Sequence, residues 1–313
     1  MKNKIIAVVG PTASGKTSLS IKIAEYFNGE IVSADSMQIY KGMNIATAKP
    51  DEEEKRGIKH YLIDFLDPCK SYSVGQYVID AQKAIDTIVS NNKTPIICGG
   101  TGLYVDSLIN GIDFLENSSN DIIRSELYSL YECNDIDYML NMLSEFDPDS
   151  AERLSIEKNP KRVIRAIEFY KTTGTTITEQ NKNSKLKDSV YEPIVIGLTA
   201  KDRQYIYDRI NRRVDIMVEN GLVKEAESVL NSDLSETSSK AIGYKQLKPY
   251  FDGTAKLSEC IERLKTETRH YAKRQLTWFK RNENIHWINI DELKTTEEQF
   301  EGIKNTIRRF LNG

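Results

Sequence analysis

The amino-acid sequence predicts an α/β protein, in which a parallel sheet is flanked by helices and carries an all-helical insertion. Short apolar runs rich in β-branched residues alternate with segments of helical periodicity, which is typical of a parallel sheet buried on both faces. A glycine-rich segment, Gly10–Thr17, joins the first apolar run to the first helical segment. From about Asp113 to Ser189 strand-like runs are rare and helical spacing prevails, which indicates the insertion.

Six segments carry the strand pattern, and they lie on both sides of the helical stretch. The predicted strands are Lys4–Val9, Glu30–Ala34, His60–Asp64, Pro95–Cys98, Pro193–Leu198 and Ile285–Ile290. Helices are predicted over Ser18–Phe27 and Val78–Val89. The α/β core is therefore expected to comprise residues 1–112 and 190–313, and the insertion residues 113–189.

Later helices are predicted from stripes of apolar residues. Val163, Ile164 and Ile167 predict a helix that ends near Gly174, and the polar segment Asn181–Lys187 is interpreted as a loop. Two long helices follow, with the stripes Ile206, Ile210, Val214, Met217 and Leu222, and then Leu257, Ile261, Leu264, Tyr271 and Trp278. Gly221 is expected to break the first, and Trp278 is interpreted as a core residue.

The composition excludes several classes of protein. With 28% charged and 39% hydrophobic residues, the chain of 313 residues resembles a globular protein. Its apolar runs fall far short of the roughly 20 residues that cross a membrane, so we expect a cytoplasmic protein with no membrane partner. The 4 cysteines form no C-x-x-C pair, which excludes the usual zinc spacings and indicates reduced thiols.

Charge is segregated along the chain although the net charge is only −3. Arg263–Arg281 holds seven bases and one acid, Lys158–Lys171 holds five bases and one acid, and Asp113–Glu157 holds twelve acids and two bases. Two basic segments of this kind suit a polyphosphate partner such as a nucleic acid. Solvated helix faces are the alternative explanation.

The segment Gly10–Thr17 fits the phosphate-binding pattern G-x-x-x-x-G-K-[ST], with a strand before it and a helix after it. The backbone N–H groups of such a loop turn towards a phosphate, and the helix N-terminus adds positive potential. Lys16 is expected to contact the outer phosphate oxygens and Thr17 to bind Mg²⁺. The predicted sheet is therefore of the P-loop NTPase-like kind.

Two further strand ends carry candidate catalytic residues. Asp35 follows the second strand and should face the phosphate loop, because the carboxyl ends of parallel strands converge on the ligand crevice. It could hold Mg²⁺ through water, act as a general base or cap the next turn. Thr101, in the run Gly99–Tyr104, could donate to a phosphate or leaving-group oxygen, although a plain tight turn explains the glycines equally well.

Arg209 and Arg213 are four residues apart and share a helix face that suits a pyrophosphate. Surface ion pairs with Asp208 and Asp215 are an equal competitor. The three histidines have no metal-ligand spacing, and the sequence contains neither a nucleophile elbow nor a dinucleotide-binding glycine motif.

The motifs in combination resemble those of the tRNA dimethylallyltransferases. The matching strings are GPTASGKTSLS, SADSMQIYKGMNIATAKP, CGGTGLY, NPKRVIRAIE, AIGYKQ and TRHYAKRQLTWF, which run in this order from Gly10 to Phe279. The resemblance covers nearly the whole chain, and the second string is far more specific than a phosphate loop.

This resemblance implies transfer of a dimethylallyl group from dimethylallyl diphosphate to N6 of adenosine 37, with release of pyrophosphate. Asp35, Thr101 and Arg209 would be catalytic, and Asp35 would accept a proton from the adenine amine. The diphosphate would be bound by Gly10, Pro11, Thr12, Ala13, Ser14, Gly15, Lys16, Thr17 and Arg213. Mg²⁺ on Thr17 is the implied cofactor. The substrates would be tRNAs that read codons beginning with U.

The resemblance also implies a tRNA-binding side, with the insertion gripping the anticodon stem-loop. The residues concerned are Asp35, Ser36, Met37, Gln38, Thr101, Arg124, Lys161, Arg162, Val163, Ile164, Arg165, Gly243, Tyr244, Lys245, Gln246, Lys273, Arg274, Gln275 and Lys280. Nothing in the sequence indicates a dimer, so a monomer is expected.

Two other functions remain possible at this stage. A phosphotransferase acting on a nucleoside or nucleotide would share the phosphate loop, the strand-end aspartate and a helical lid. Such an enzyme would not need the basic C-terminal segment with AKRQLTW. A non-catalytic RNA-binding protein with a relic phosphate loop would not need intact Lys16, Thr17 and Asp35.

Overall fold

A computed structural model of the protein describes residues 2–111, 120–186 and 189–313. A six-stranded sheet has the strand order β3-β2-β4-β1-β5-β6, and every neighbouring pair is parallel. The strands are β1 (Asn3–Val9), β2 (Gly29–Ser33), β3 (His60–Tyr61), β4 (Thr94–Gly99), β5 (Tyr191–Thr199) and β6 (Ile285–Asn289). This architecture confirms the predicted α/β class with a parallel sheet flanked by helices.

Helices follow or separate the strands. They are α1 (Lys16–Tyr26), α2 (Glu52–Lys55), α3 (Val74–Ser90), α4 (Gly102–Ile109), α5 (Asp121–Cys133), α6 (Ile136–Ser144), α7 (Pro148–Glu157), α8 (Pro160–Thr173), α9 (Ile177–Leu186), α10 (Arg203–Glu219), α11 (Leu222–Leu230), α12 (Lys248–Phe251), α13 (Leu257–Phe279) and α14 (Thr296–Asn312).

By internal packing the chain divides into two compact units. The first runs to Ile109 and resumes at Val190, and the second is Asn110–Ser189. The described part of the second unit is helical, from α5 to α9, and has its own apolar core. The predicted start of the insertion at residue 113 lies outside the described residues.

Strand β1 lies inside the sheet, with β4 on one side and β5 on the other. The apolar run Ile5–Val9 is fully buried between β4 and β5. Val9 is in register with Gly99 on β4 and with Gly197 on β5. Because all strands are parallel, the loops after β1, β2 and β4 leave the sheet at the same edge.

Local backbone geometry explains where strands and helices end differently from the sequence prediction. β3 ends at Tyr61, not Asp64, because Leu62 and Asp64 adopt positive φ angles of 57° and 56°. α3 begins at Val74, where the Ser73 hydroxyl accepts the N–H of Gln76 as an N-cap. The break at Gly221 is present, with φ 96° between α10 and α11.

Two helices differ from the sequence interpretation. The predicted loop over Asn181–Lys187 is wrong as far as Leu186, because α9 continues through it; Lys187 lies outside the described residues. The first turn of α9 is held by Glu179, whose carboxylate accepts the backbone N–H and hydroxyl of Thr176. The C-terminal helix α14, which no sequence prediction covered, buries Phe300, Ile303 and Ile307 against the sheet core.

Candidate active site

The phosphate loop connects β1 to α1 in a conformation that requires its glycines. Gly10 has φ 141°, and a Cβ there would lie 2.6 Å from the backbone oxygen of Leu198. Gly15 has φ 96° and immediately precedes α1. No side chain among the described residues caps this helix, so its first N–H groups remain available to an anion.

Three basic side chains converge on the loop. The Lys16 ammonium donates to the carbonyl oxygen of Pro11 at 2.6 Å, and Arg209 Nε donates to that of Ala13 at 2.7 Å. Arg213 donates to the hydroxyl of Thr12 at 3.4 Å. Burial lowers the pKa of Lys16 to about 8 and lowers that of Arg213, although the carboxylate of Asp35 opposes both shifts. The positive charge is concentrated and poorly solvated, which suits an anionic ligand.

The surface ion pairs considered for these arginines do not form. Asp208 accepts instead from the side-chain amide of Gln204, and Asp215 pairs with Lys265 at 2.8 Å. Arg209 and Arg213 therefore turn towards the phosphate loop.

Asp35 lies just beyond the end of β2, in the same cavity as the phosphate loop. Its Oδ1 atom accepts the backbone N–H groups of Met37 at 2.9 Å and Gln38 at 3.3 Å. Oδ2 accepts no hydrogen bond from the described residues. Asp35 therefore caps the turn that follows it, which was one of the predicted alternatives. The cap uses only Oδ1 and leaves Oδ2 available for chemistry.

Thr101 contacts the Asp35 segment across the strand edge. Its hydroxyl accepts the backbone N–H of Ser36 at 3.0 Å and lies 3.3 Å from the Ser36 hydroxyl. The glycines before it permit this approach, because a Cβ on Gly99 would lie 2.1 Å from the backbone oxygen of Ala34. The glycines thus do more than make a turn, since they let β4 and β2 present Thr101 and Asp35 together.

Several of these groups line one cavity of about 340 Å³ in the first unit, whereas Arg209 and Thr101 lie behind its lining residues. Lys16, Thr17 and Arg213 lie on its wall together with Asp35. The rest of the lining includes an apolar set from α10, α11 and α13, namely Ile210, Val214, Met217, Leu222 and Leu264. The cavity therefore offers cationic, carboxylate and hydrocarbon surfaces to one bound molecule or to two that meet there.

Sequence reasoning missed several lining residues. The turn at Ala46–Ala48 and the α13 residues Glu267, Thr268 and Tyr271 all border the cavity. Burial raises the pKa of Tyr271, and the nearby carboxylate of Asp35 raises it further. Tyr271 belongs to the predicted apolar stripe, which indicated that it lies on the face of α13 that packs against the core. The stripe alone could not show that this face borders a cavity.

The long helix α13 is attached to the site by Gln275. Its buried side-chain amide accepts the backbone N–H of Thr12 at 2.8 Å and donates to the carbonyl oxygen of Gly100 at 2.9 Å. Both ends of this amide are thus used inside the protein, and the predicted role of Gln275 in tRNA binding stays a prediction. Trp278 is only partly buried and donates from its indole N–H to Asp106 at 2.6 Å, so its interpretation as core is corrected.

Basic residues near the cavity are exposed, as a nucleic-acid interface requires. Lys273 and Arg274 on α13 are exposed, and so are Lys280, which directly follows the helix, and Lys245. The neighbouring Tyr244 and Gln246 are buried and bond to Glu225 and to the N–H of Gly243, respectively. The side chains of Tyr244 and Gln246 are thus used inside the protein, whereas Gly243 and Lys245 line the cavity. Binding of tRNA by this segment stays a prediction.

Within the insertion, the predicted tRNA-binding run Lys161–Arg165 lies on α8, which has an exposed face and a buried face. Val163 and Ile164 are 0% and 2% exposed and pack inside the unit, and their predicted role in tRNA binding stays a prediction. Lys161 and Arg162 are exposed. Arg124 and Arg165 pair with the buried Glu168 at 2.9 and 3.2 Å, so their charges stabilise the insertion itself.

The family model for IPP transferase matches residues 38–282, which is most of the chain. The chain belongs to the IPP transferase family. This match covers the Gln38 end of the Asp35 segment, the cavity-lining helices and the basic helix α13.

Individual relatives agree with the family assignment. A curated tRNA dimethylallyltransferase from Acetivibrio thermocellus is 46% identical over 310 residues, covering 98% of each chain. A crystal structure of a tRNA isopentenylpyrophosphate transferase from Staphylococcus epidermidis is 40% identical, with TM-score 0.71, and covers 98% of this chain and 100% of that one. A eukaryotic dimethylallyltransferase described as acting on tRNA is 29% identical, with TM-score 0.84, over 99% of this chain and 80% of that one.

These findings confirm the resemblance to the tRNA dimethylallyltransferases and show that the protein is an enzyme of the transferase class. They remove the alternatives of a small-molecule phosphotransferase and of a non-catalytic RNA-binding protein. No helix in the described parts of the chain is both long and apolar enough to span a membrane.

Proposed function

We propose that this IPP transferase moves a dimethylallyl group from dimethylallyl diphosphate to N6 of adenosine 37 in tRNAs that read codons beginning with U. The products are the N6-(dimethylallyl)adenosine of the tRNA and pyrophosphate. The observation that carries the proposal is a single cavity in which Lys16 and Arg213 lie on the same wall as Asp35 and an apolar surface. A prenyl diphosphate needs the cations and the apolar surface, and an attacking amine needs the carboxylate.

The donor is bound through its diphosphate. The backbone of the phosphate loop and the N-terminus of α1 supply N–H donors, and Lys16, Arg209 and Arg213 supply charge. The apolar set from Ile210 to Leu264 receives the dimethylallyl group.

In the transfer step, N6 of adenine attacks C1 of the dimethylallyl group and the C1–O bond to the diphosphate breaks. The bonding electrons leave with pyrophosphate, whose growing charge is stabilised by Lys16, Arg209 and Thr101. Oδ2 of Asp35 takes the proton that N6 loses. The exocyclic amine of adenine is a weak nucleophile, so a carboxylate positioned beside it raises the rate.

Mg²⁺ fits the donor set beside the loop. The Thr17 hydroxyl borders the cavity and is an oxygen ligand of the kind that Mg²⁺ prefers. The described residues contain no cluster of three or more His, Cys, Asp or Glu that could hold a metal, so diphosphate oxygens and water would complete the shell. When bound, the ion would offset the negative charge of the diphosphate.

The tRNA partner is proposed to bind along the exposed bases of α13 and Lys245, with Lys161 and Arg162 of the insertion on the anticodon stem-loop. Adenosine 37 must leave its stack to reach Asp35, as happens in other base-modifying enzymes. The protein is proposed to act as a monomer in the cytoplasm.

The test combines protein, Mg²⁺, dimethylallyl diphosphate and an unmodified tRNA that carries A36-A37-A38, followed by digestion and mass measurement of the nucleosides. We expect one adenosine per tRNA to gain a C5H8 unit, at position 37 only. A tRNA with G37 is the matched control and should gain nothing. Absence of the mass gain with A37, or a gain at another position, would contradict the proposal.

The RNA surface is tested by Lys273→Ala combined with Arg274→Ala. Loss of two phosphate contacts should weaken tRNA binding and flatten the plot of log K against log salt by about 1 to 2 units. Binding is measured by filter retention over a range of salt concentrations. Lys201→Ala combined with Arg309→Ala removes two exposed charges elsewhere on the first unit and should leave the slope unchanged. An unchanged slope in the α13 variant would remove this surface from the interface.

Donor binding should weaken as pH increases through 8. Burial holds the pKa of Lys16 at about 8 in the free protein, whereas a bound diphosphate stabilises its ammonium form. Above pH 8 each unit should therefore raise the Kd for dimethylallyl diphosphate up to about tenfold. Calorimetry without tRNA measures this dependence, and Lys16→Arg, which stays protonated, should flatten it. A pH-independent Kd in the unmodified protein would be inconsistent with Lys16 as a diphosphate ligand.

A further inference from the structure

Glu225, in the first turn of α11, makes contacts that the proposed mechanism does not use. Its carboxylate accepts three consecutive backbone N–H groups, from Asn44 at 2.9 Å, Ile45 at 2.8 Å and Ala46 at 3.0 Å. It also accepts the hydroxyl of Tyr244 at 2.9 Å. No basic side chain of the described chain forms an ion pair with it. The carboxylate therefore serves as an anchor for backbone, not as a surface charge.

The anchored turn borders the active-site cavity. Ala46, Thr47 and Ala48 are lining residues, and the segment is separated from Glu225 by about 180 residues of sequence. Gly243 closes against it so tightly that a Cβ there would lie 2.7 Å from that of Ala46. Glu225 thus fixes two neighbouring parts of the cavity wall, the turn at residues 44–46 and the segment that contains Tyr244.

A continuous path of hydrogen bonds leads from this turn to the proposed general base. The side-chain amide of Gln38 donates to the carbonyl oxygens of Thr47 at 3.1 Å and Ala48 at 3.0 Å. The backbone N–H of Gln38 then donates to Oδ1 of Asp35. Movement of the turn would displace Gln38 and, with it, one of the two N–H groups that hold the Asp35 carboxylate.

We infer that Glu225 is a positioning residue for Asp35, which it orients through the 44–48 turn and Gln38. The inference rests on the proposed function, because it gives Asp35 the role of base. A displacement of about 1 Å at a reacting group can reduce the rate by about 100-fold. Removing the anchor should thus affect the transfer step more than donor binding, since no hydrogen bond or ion pair among the described residues joins Glu225 or the turn to the phosphate loop.

The test compares Glu225→Ala, Glu225→Gln and Tyr244→Phe with the unmodified protein. The kcat for tRNA prenylation should fall by about 10- to 100-fold in Glu225→Ala and by a smaller factor in Glu225→Gln, which keeps one carbonyl acceptor. Tyr244→Phe removes one of four donors and should stay within about threefold. The Kd for inorganic pyrophosphate, measured with Mg²⁺ present, should change less than about twofold in every variant. The binding stoichiometry from the same titration gives the fraction of the protein that is folded.

Glu227→Gln is the matched control, because Glu227 is an exposed residue of the same helix with no side-chain hydrogen bond among the described residues. It should behave as the unmodified protein. Hydrogen exchange of residues 43–49 provides a readout independent of turnover, and the amides of Asn44, Ile45 and Ala46 should exchange faster in Glu225→Ala but not in Glu227→Gln. If Glu225→Ala does not fold, turnover and hydrogen exchange are measured on Glu225→Gln instead.

Three outcomes would overturn the inference. One is a kcat within twofold of the unmodified protein in Glu225→Ala. Another is a parallel loss of pyrophosphate affinity and kcat, which would indicate general collapse of the site. The last is unchanged exchange at residues 44–46. Failure of the proposed function is distinct, since the unmodified protein would then form no prenylated tRNA while the exchange data would still report on the anchor.

Discussion

Replacing Asp35 with asparagine should reduce tRNA prenylation by two or more orders of magnitude while leaving donor binding intact. Asparagine has nearly the same shape and can still accept the N–H groups of Met37 and Gln38 through its amide oxygen. It cannot take a proton from the adenine amine, and loss of a general base typically costs 10²- to 10⁴-fold in rate. Single-turnover mass analysis of tRNA measures the rate, and calorimetry with dimethylallyl diphosphate measures binding.

Asp35→Ala adds a second comparison, because it also removes the acceptor for those two N–H groups. It should be no more active than Asp35→Asn. The control is Asp252→Asn, an exposed carboxylate beyond α12, which should retain normal turnover. Near-normal turnover of Asp35→Asn would exclude Asp35 as the base and require another group to accept the proton.

Replacing Lys16 with methionine should have opposite effects on catalysis and on stability. Methionine is unbranched and of similar length, so the loop should keep its shape. The lost ammonium contacts pyrophosphate in the bound donor and more strongly in the transition state, so kcat/KM should fall by about three orders of magnitude. A steady-state assay against dimethylallyl diphosphate measures this fall.

Without ligand, the same variant should be more stable than the unmodified protein at pH 7. A lysine whose pKa is lowered to about 8 by burial destabilises the folded state while it is protonated, by up to about 3 kcal/mol. That penalty is present below pH 8 and disappears as the pH rises towards 10.5, the ordinary value for lysine. Thermal unfolding at pH 7 and pH 9.5 should thus show a higher Tm for Lys16→Met at pH 7 and a smaller gain at pH 9.5.

Lys22→Met is the control for both measurements, because Lys22 lies on the same helix α1 but pairs with Glu297 at the surface. It should change neither kcat/KM nor the pH dependence of the Tm. A Lys16→Met variant with normal kcat/KM, or one less stable than the unmodified protein at pH 7, would contradict the description of Lys16 as a buried cation that awaits an anion.

Local sequence patterns predicted the elements that build the sheet edge. The phosphate loop, Asp35 and Thr101 each follow a buried β-branched run, and parallel pairing brings such strand ends together without further information. The glycine at position 221 predicted a break because its φ is one that other residues avoid. These features depend on neighbours in the sequence, so they can be deduced from it.

The contacts that complete the site join residues far apart in sequence. Gln275 reaches Thr12 across 263 positions, and Glu225 reaches Ala46 across 179. Gln275 lies in a matched string, but that string gave no indication of its contact with Thr12. Glu225 belongs to no pattern of composition or spacing, so nothing in the sequence distinguished it from a surface carboxylate. Val163 and Ile164 are buried although the matched string treats Lys161–Arg165 as one block, because helical periodicity divides this run into a buried side and an exposed side.

The double hydrogen bond of Gln275 has a thermodynamic consequence. One amide on α13 connects the phosphate loop to the end of β4, and the same helix carries the exposed bases Lys273 and Arg274 and is followed directly by Lys280. A shift of the helix under a polyanion on its outer face is therefore transmitted to the loop inside. Linkage requires any such coupling to be reciprocal, so the factor by which the outer ligand changes affinity for the inner one is also the factor by which the inner changes affinity for the outer.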